Sequence, residues 1–130
     1  MQRVASVLRI LWAAPWSALG LIVGLAALVS GGKMRRVGVV LEIHGGAASW
    51  LLERFPAEPF AMTLGHTVLG RTHAALDICR AHELVHVRQY ERWGPLFIPA
   101  YLGCSLLLWL RGRDPYRENP FEVEAYREAP

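Results

Sequence analysis

Cysteine is scarce in this 130-residue sequence: Cys79 and Cys104 are the only two. Two thiols in apolar company say little about redox compartment. A bridge between them would join two distant stretches, Cys79 could add to a metal set one turn before His82, and each could simply be packed. Charge is thin as well, at 19% of residues, below the usual quarter or so. The formal balance of +3 is mild, and no basic stripe interleaved with aromatics appears, which excludes nucleic acid as an expected partner. Repeats and low-complexity tracts are absent. The paired glycines Gly31-Gly32 and Gly45-Gly46 lack the context of a phosphate-cradling loop. The length allows one domain with a modest core.

What the sequence has in excess is apolar residues, 53% of the chain. Val4 to Ser30 is almost wholly apolar, and Ile10 to Gly32 carries no charge, long enough for one helical crossing of a bilayer. Trp12 and Trp16 lie near one end, and Lys33, Arg35 and Arg36 flank the other, as interfacial residues do. The expectation is an N-terminal hydrophobic segment over 1–36 acting as a membrane anchor, with lipid as a partner. A signal peptide would have a shorter apolar core and a small-x-small end. A helix packed on the rest of the protein is the third option. Arg3 and Arg9 nearly balance the cations beyond the segment, so charge assigns no orientation.

The most informative stretch is His82-Glu83-Leu84-Val85-His86. Gly and Pro are missing from Arg71 to Trp93, Asp77 is a candidate cap, and Gly94-Pro95 stops the run, so a helix is expected here. Histidines four apart share a helix face and can grip one Zn²⁺. Glu83 then stands beside the metal without binding it, where a carboxylate takes a proton from metal-bound water. Downstream, Asn119-Pro120 opens a second expected helix through Tyr126, with Asn119 as N-cap and Pro120 at the first helical position. Its glutamates come at the right stage to supply a third ligand. Two His and one Glu with an open fourth position form a catalytic shell.

With these residues in place the chain resembles the gluzincin class of zinc metallopeptidases, in which an H-E-x-x-H helix precedes a helix carrying a ligand Glu in an E-x-x-A-[D/N] type pattern. Glu122-Val123-Glu124-Ala125-Tyr126 resembles that pattern, with Tyr126 in place of the acidic or amide residue. The resemblance covers about Asp77 to Arg127. It implies His82, His86 and Glu122 as metal ligands, Glu83 as general base, Zn²⁺ as cofactor and a peptide or protein as substrate. At Tyr126 the partner that would orient a ligand histidine is replaced. Glu122 also falls where a capping-box glutamate would sit; Glu124 is then the alternative ligand.

Between anchor and metal helix, Val37–His44 and Phe60–Leu69 each read as a strand, and Ala47–Phe55 as a short helix or further strand. A small sheet beside the metal helix offers an edge on which an extended peptide can lie. His44, His66 and His73 are expected to be structural, with His66 the one candidate for stabilising an oxyanion. Pro95–Leu110 is a second apolar run, too short and broken to span. Since His82 and His86 precede it and Glu122 follows it, a crossing there would part the ligands; the run should dip in and return or lie along the membrane or the body. The fold expected is α+β: a zinc-binding helix pair with a small β-sheet over 37–130, the apolar run 95–110 inserted in it, and the N-terminal hydrophobic helix in front. The function expected is a membrane-associated, zinc-dependent peptidase-like hydrolase. The alternative is a non-catalytic membrane-associated zinc-binding or structural protein.

Overall fold

The computed structural model describes residues 2–56 and 59–129. The architecture is α+β. Helix α1 (Gln2–Val29) leads into strands β1 (Lys33–Val37) and β2 (Val40–His44), then helix α2 (Gly46–Arg54) and strands β3 (Ala61–Leu64) and β4 (Thr67–Gly70). Helix α3 (His73–Trp93) follows, a single 3-10 turn (Gly94–Leu96) joins it to α4 (Phe97–Leu110), and α5 (Pro120–Glu128) closes the described chain. The four strands form one mixed sheet in the order β1-β2-β4-β3. The outer pairs β1/β2 and β4/β3 are antiparallel, and the central pair β2/β4 is parallel.

Each run read as a single strand is in fact part of a hairpin. Gly38, at φ 61°, ends β1 and lets the chain reverse into β2, so the run from Val37 to His44 is not one strand. Gly65, at φ 62°, does the same between β3 and β4. Positive φ is where glycine alone is unstrained. Ala47–Phe55 falls mostly in α2. The 36/37 boundary drawn from composition falls inside β1, whose Lys33, Arg35 and Arg36 are sheet residues paired with β2.

Helix α1 packs through a stripe of small residues, with Gly20, Gly24 and Ala27 against the sheet and Ala13 against Tyr90 and Phe97. A Cβ on Gly20 would meet Thr67 at 2.7 Å and Leu64 at 3.0 Å, and one on Gly24 would run into Ile43. At its other side the indole Nε1 of Trp12 donates to Arg92 O, and that of Trp16 to Pro95 O. Gly94 caps α3 at φ 57°, and the Trp12 indole occupies the space a Cβ would take there. Packing on one side and large exposed apolar side chains on the other coexist in α1.

Two helical stretches, Gln2–Val29 and the nearly continuous His73–Leu110, are long and apolar enough to cross a membrane. Helix α4 itself has 14 residues, about 21 Å, against a hydrocarbon core of about 30 Å. Beyond it the chain reverses. Gly112 sits at φ 71°, Ser105 Oγ donates to Pro115 O, and the Asn119 amide donates to Tyr101 O and Ser105 Oγ. The 111–119 segment therefore runs back along α4, and α5 reaches α3.

Candidate metal centre

Helix α3 starts from Thr72, whose hydroxyl accepts the Ala75 N–H, so Asp77 is not its cap. Asp77 pairs instead with Arg80, Arg35 and His73. The helix turns His82 and His86 toward α5. Asn119 opens α5 by accepting from Phe121 N–H, with its own N–H given to Tyr116 O. With that donor spent, Glu122 forms no capping box, and its carboxylate points at the histidines. The aromatic cluster of Tyr90, Trp93, Phe97, Tyr101 and Phe121 sets the α5 root against α3 and α4. Arg92–Glu124 and Arg88–Glu128 pair the two helices outside it.

The outcome is a tight triangle. His82 Nε2 lies 3.1 Å from Glu122 Oε2, His86 Nε2 lies 3.2 Å from the same oxygen, and the two imidazole nitrogens are 3.2 Å apart. A tetrahedral ion with bonds of about 2 Å needs ligand atoms about 3.3 Å apart. As mere hydrogen-bonding partners, two imidazole nitrogens facing each other require a proton between them. With both imidazoles neutral, the three atoms lie close enough together to share one ion. The donor set therefore fits a metal ion.

Supporting groups hold each of the three side chains. Gln89 Oε1 lies 2.8 Å from His86 Nδ1, which directs Nε2 to the centre, and the Gln89 amide donates to Phe121 O and Glu124 Oε1. Tyr101 donates its hydroxyl to Glu122 Oε1 at 2.9 Å. The Tyr126 ring packs on His82 with centroids 4.5 Å apart, and its hydroxyl meets that of Tyr116 at 3.0 Å. Where the expected pattern has a hydrogen-bonding residue, a ring contact steadies His82. Glu124 is spent on Gln89 and Arg92, which leaves Glu122 as the third member of the group.

Glu83 is buried, and Thr63 Oγ1 donates to its Oε2 at 2.6 Å. Burial pushes its carboxyl up from the ordinary range, against the opposing pull of His86, Thr63 and His82. Burial works against charge on His86 too, but hydrogen bonding to Glu122 and the nearby carboxylates hold its imidazole up at about 9. In Glu122 burial is outweighed by hydrogen bonds from His82 and His86, which bring the carboxyl down to about 2. His86 and Glu122 thus stabilise each other's charged forms where both are buried.

The remaining candidates lie elsewhere. His66 Nε2 is 3.1 Å from Glu91 Oε2, and its backbone N–H donates to Ser17 Oγ. Glu91 stands nine residues beyond His82, half a turn round the helix at 3.6 residues per turn, so His66 faces away from the ligand group. That removes it as an oxyanion stabiliser. His44 and His73 meet edge to face at 5.7 Å, with His73 on Asp77 at 3.2 Å. Cys79 and Cys104 are both free thiols, and Cys79 is not in the ligand group. An apolar groove lined by Val37, Val40, Leu84, Val87, Arg88 and Glu91 shares no residue with the group.

No family model, curated protein or solved structure matches this chain. Sequence reasoning missed Gln89, Tyr101 and Thr63. Gln89 had a visible signal, seven residues past His82 and three past His86 on the same helix face. Tyr101 and Thr63 had none, because α4 and β3 reach the site only by tertiary packing.

Proposed function

We propose that the chain is a zinc-dependent, peptidase-like hydrolase of gluzincin type, held at a membrane by its apolar helices. The observation that carries this reading is the triangle of His82, His86 and Glu122 with Glu83 buried beside it. When bound there, zinc supplies Lewis acidity that acidifies water and polarises a carbonyl. His82, His86 and Glu122 would hold the ion through two imidazole nitrogens and one carboxylate oxygen. Glu83 Oε2 is fixed by Thr63, and Oε1 takes the proton of the attacking water. The water oxygen would bond to the carbonyl carbon, and that proton would pass to the amine nitrogen as the C–N bond breaks; burial raises the Glu83 carboxyl above its ordinary range. Strand β3 is a sheet edge next to Glu83, where an extended peptide would add. Tyr90 already holds the Thr63 carbonyl, so fewer backbone groups are open to it.

The alternative, a zinc protein without catalysis, draws on the burial of Glu83, which leaves little of its carboxylate open to substrate. Metal analysis and peptide cleavage decide between the two. Wild type should carry about one zinc per chain and His82→Ala almost none. Glu83→Gln should keep the zinc and lose cleavage, because an amide has no oxygen basic enough to accept the proton. Zinc binding with no cleavage by wild type across a broad set of peptides and membrane proteins favours the non-catalytic reading. Equal cleavage by Glu83→Gln and wild type defeats the role given to Glu83.

A further inference from the structure

Helix α1 carries an exposed stripe opposite its glycines. Val4, Leu8, Leu11, Ile22, Leu25 and Val29 are between 61% and 83% exposed, and their spacings keep them on one side of a helix. From Val4 to Val29 the stripe runs about 37 Å, and no charged residue interrupts it. The opposite side is closed by Gly20 against Thr67 and Leu64, and by Gly24 against Ile43. The folded body is thus packed along α1 from Ala13, which meets Tyr90 and Phe97, to Ala27, which meets the sheet, about 21 Å. Were α1 to cross a bilayer, this body would have to enter the hydrocarbon beside it. Strand β1 exposes Arg35 and Arg36, with Arg36 paired to Leu41 and so level with Thr67 and Gly20, and charge at bilayer depth is strongly disfavoured.

We infer that α1 lies lengthwise in one leaflet of an anionic bilayer, with the Val4–Val29 stripe immersed and both helix ends on the same side. Charge picks out this partner. The first acidic residue of the chain is Glu42, and before it stand Arg3, Arg9, Lys33, Arg35 and Arg36. Arg3 lies at one end of the stripe, and Lys33 just past the other. Cations at both ends of an immersed apolar face suit anionic headgroups. A second copy laid on the same face would bring cations to cations with no acid in that segment to offset them. The inference rests on the membrane reading proposed above and is independent of the metal site.

The test uses the full chain, reconstituted in phosphatidylcholine vesicles with and without phosphatidylglycerol. In a Cys79→Ala/Cys104→Ala background, Ile22→Cys carries an environment-sensitive fluorophore, and nitroxide on the lipid acyl chains should quench it. Arg3→Cys and Lys33→Cys should react with an impermeant maleimide from the same side. Labelling from opposite sides means a crossing and overturns the inference. An unquenched Ile22 probe on vesicle-bound protein, or a disulfide-linked Ile22→Cys dimer, means protein covers the stripe and overturns it equally. Wild type needs no substitution for co-sedimentation: phosphatidylglycerol should strengthen binding, and Arg3→Gln or Lys33→Gln should weaken it about fivefold each. Binding indifferent to phosphatidylglycerol rejects the anionic surface. Zinc content of the same preparations reports separately on the metal reading.

Discussion

At the ligand group, orientation matters as much as proximity. An imidazole can rotate about χ2 and can carry its proton on either nitrogen, so His86 serves as a ligand only if Nδ1–H is occupied. Gln89 supplies that acceptor and is itself pinned at two points by α5. Loss of such a partner costs 10–100-fold in metal affinity or activity. Gln89→Ala should therefore weaken zinc binding by roughly that factor with the fold intact, measured by competition with a chromogenic chelator. Unchanged affinity would deny Gln89 its positioning role. Glu122→Ala should weaken binding far more than Glu124→Ala, since Glu124 reaches the site only through Gln89. The reverse order would make Glu124 the ligand.

Among the elements, α3 was the most legible in advance. A long stretch without glycine or proline, ended by Gly94-Pro95, left one reasonable assignment, and His82 and His86 four apart fixed a common face. The start of α5 was legible for a similar reason, since Asn119-Pro120 is a strong opening signal. The strands were less so. Val37–His44 and Phe60–Leu69 have strand composition throughout, and a single glycine in each decides that the run turns back. Gly38 and Gly65 look no different in sequence from a glycine inside a strand; only the demand for positive φ separates them. Asn119 shows how much one residue can carry between elements. It caps α5, and its amide ties the returning segment to Tyr101 and Ser105. Asn119 is fully buried. Asn119→Ala should cost the cap's ~1 kcal/mol plus about 1–3 kcal/mol for polar groups left unpaired. Chemical denaturation should register that loss, and a loss below ~1 kcal/mol would mean that the segment returns without it.

For the molecule as a whole, the central electrostatic tie is Glu42. It is 3% exposed on β2 and grips Arg80 of α3 through both oxygens at 2.8 Å, with Arg35 at 3.3 Å. Burial raises its carboxyl, but the Arg80 and Arg35 bonds outweigh that and hold it below the ordinary value of 4.5. A depressed folded-state pKa contributes stability above the unfolded value and loses it as pH falls through the folded one. The sheet and α3 should therefore stay joined near neutrality and loosen below about pH 4.5. Glu122, held at about 2, adds to the same acid loss, so the Glu42 share is read by difference. Glu42→Gln should be markedly less stable than wild type at pH 7, and the gap should narrow toward pH 3. A gap that does not change with pH would show that Glu42 acts through packing alone.

The return of the chain after α4 has one more consequence, which concerns topology of another kind. His82 and Glu122 are 40 residues apart in sequence. An ion shared by them is a cross-link that closes a loop containing the end of α3, all of α4 and the 111–119 segment. By loop-closure entropy a covalent staple of that span is worth about 4 kcal/mol. A chelator cuts the staple without touching the sheet, whose ladders lie wholly outside the loop. Amide hydrogen exchange should then quicken from Phe97 through Glu128 while β2 and β4 keep their protection. Uniform quickening across the chain would mean that the loop and the sheet unfold as one unit.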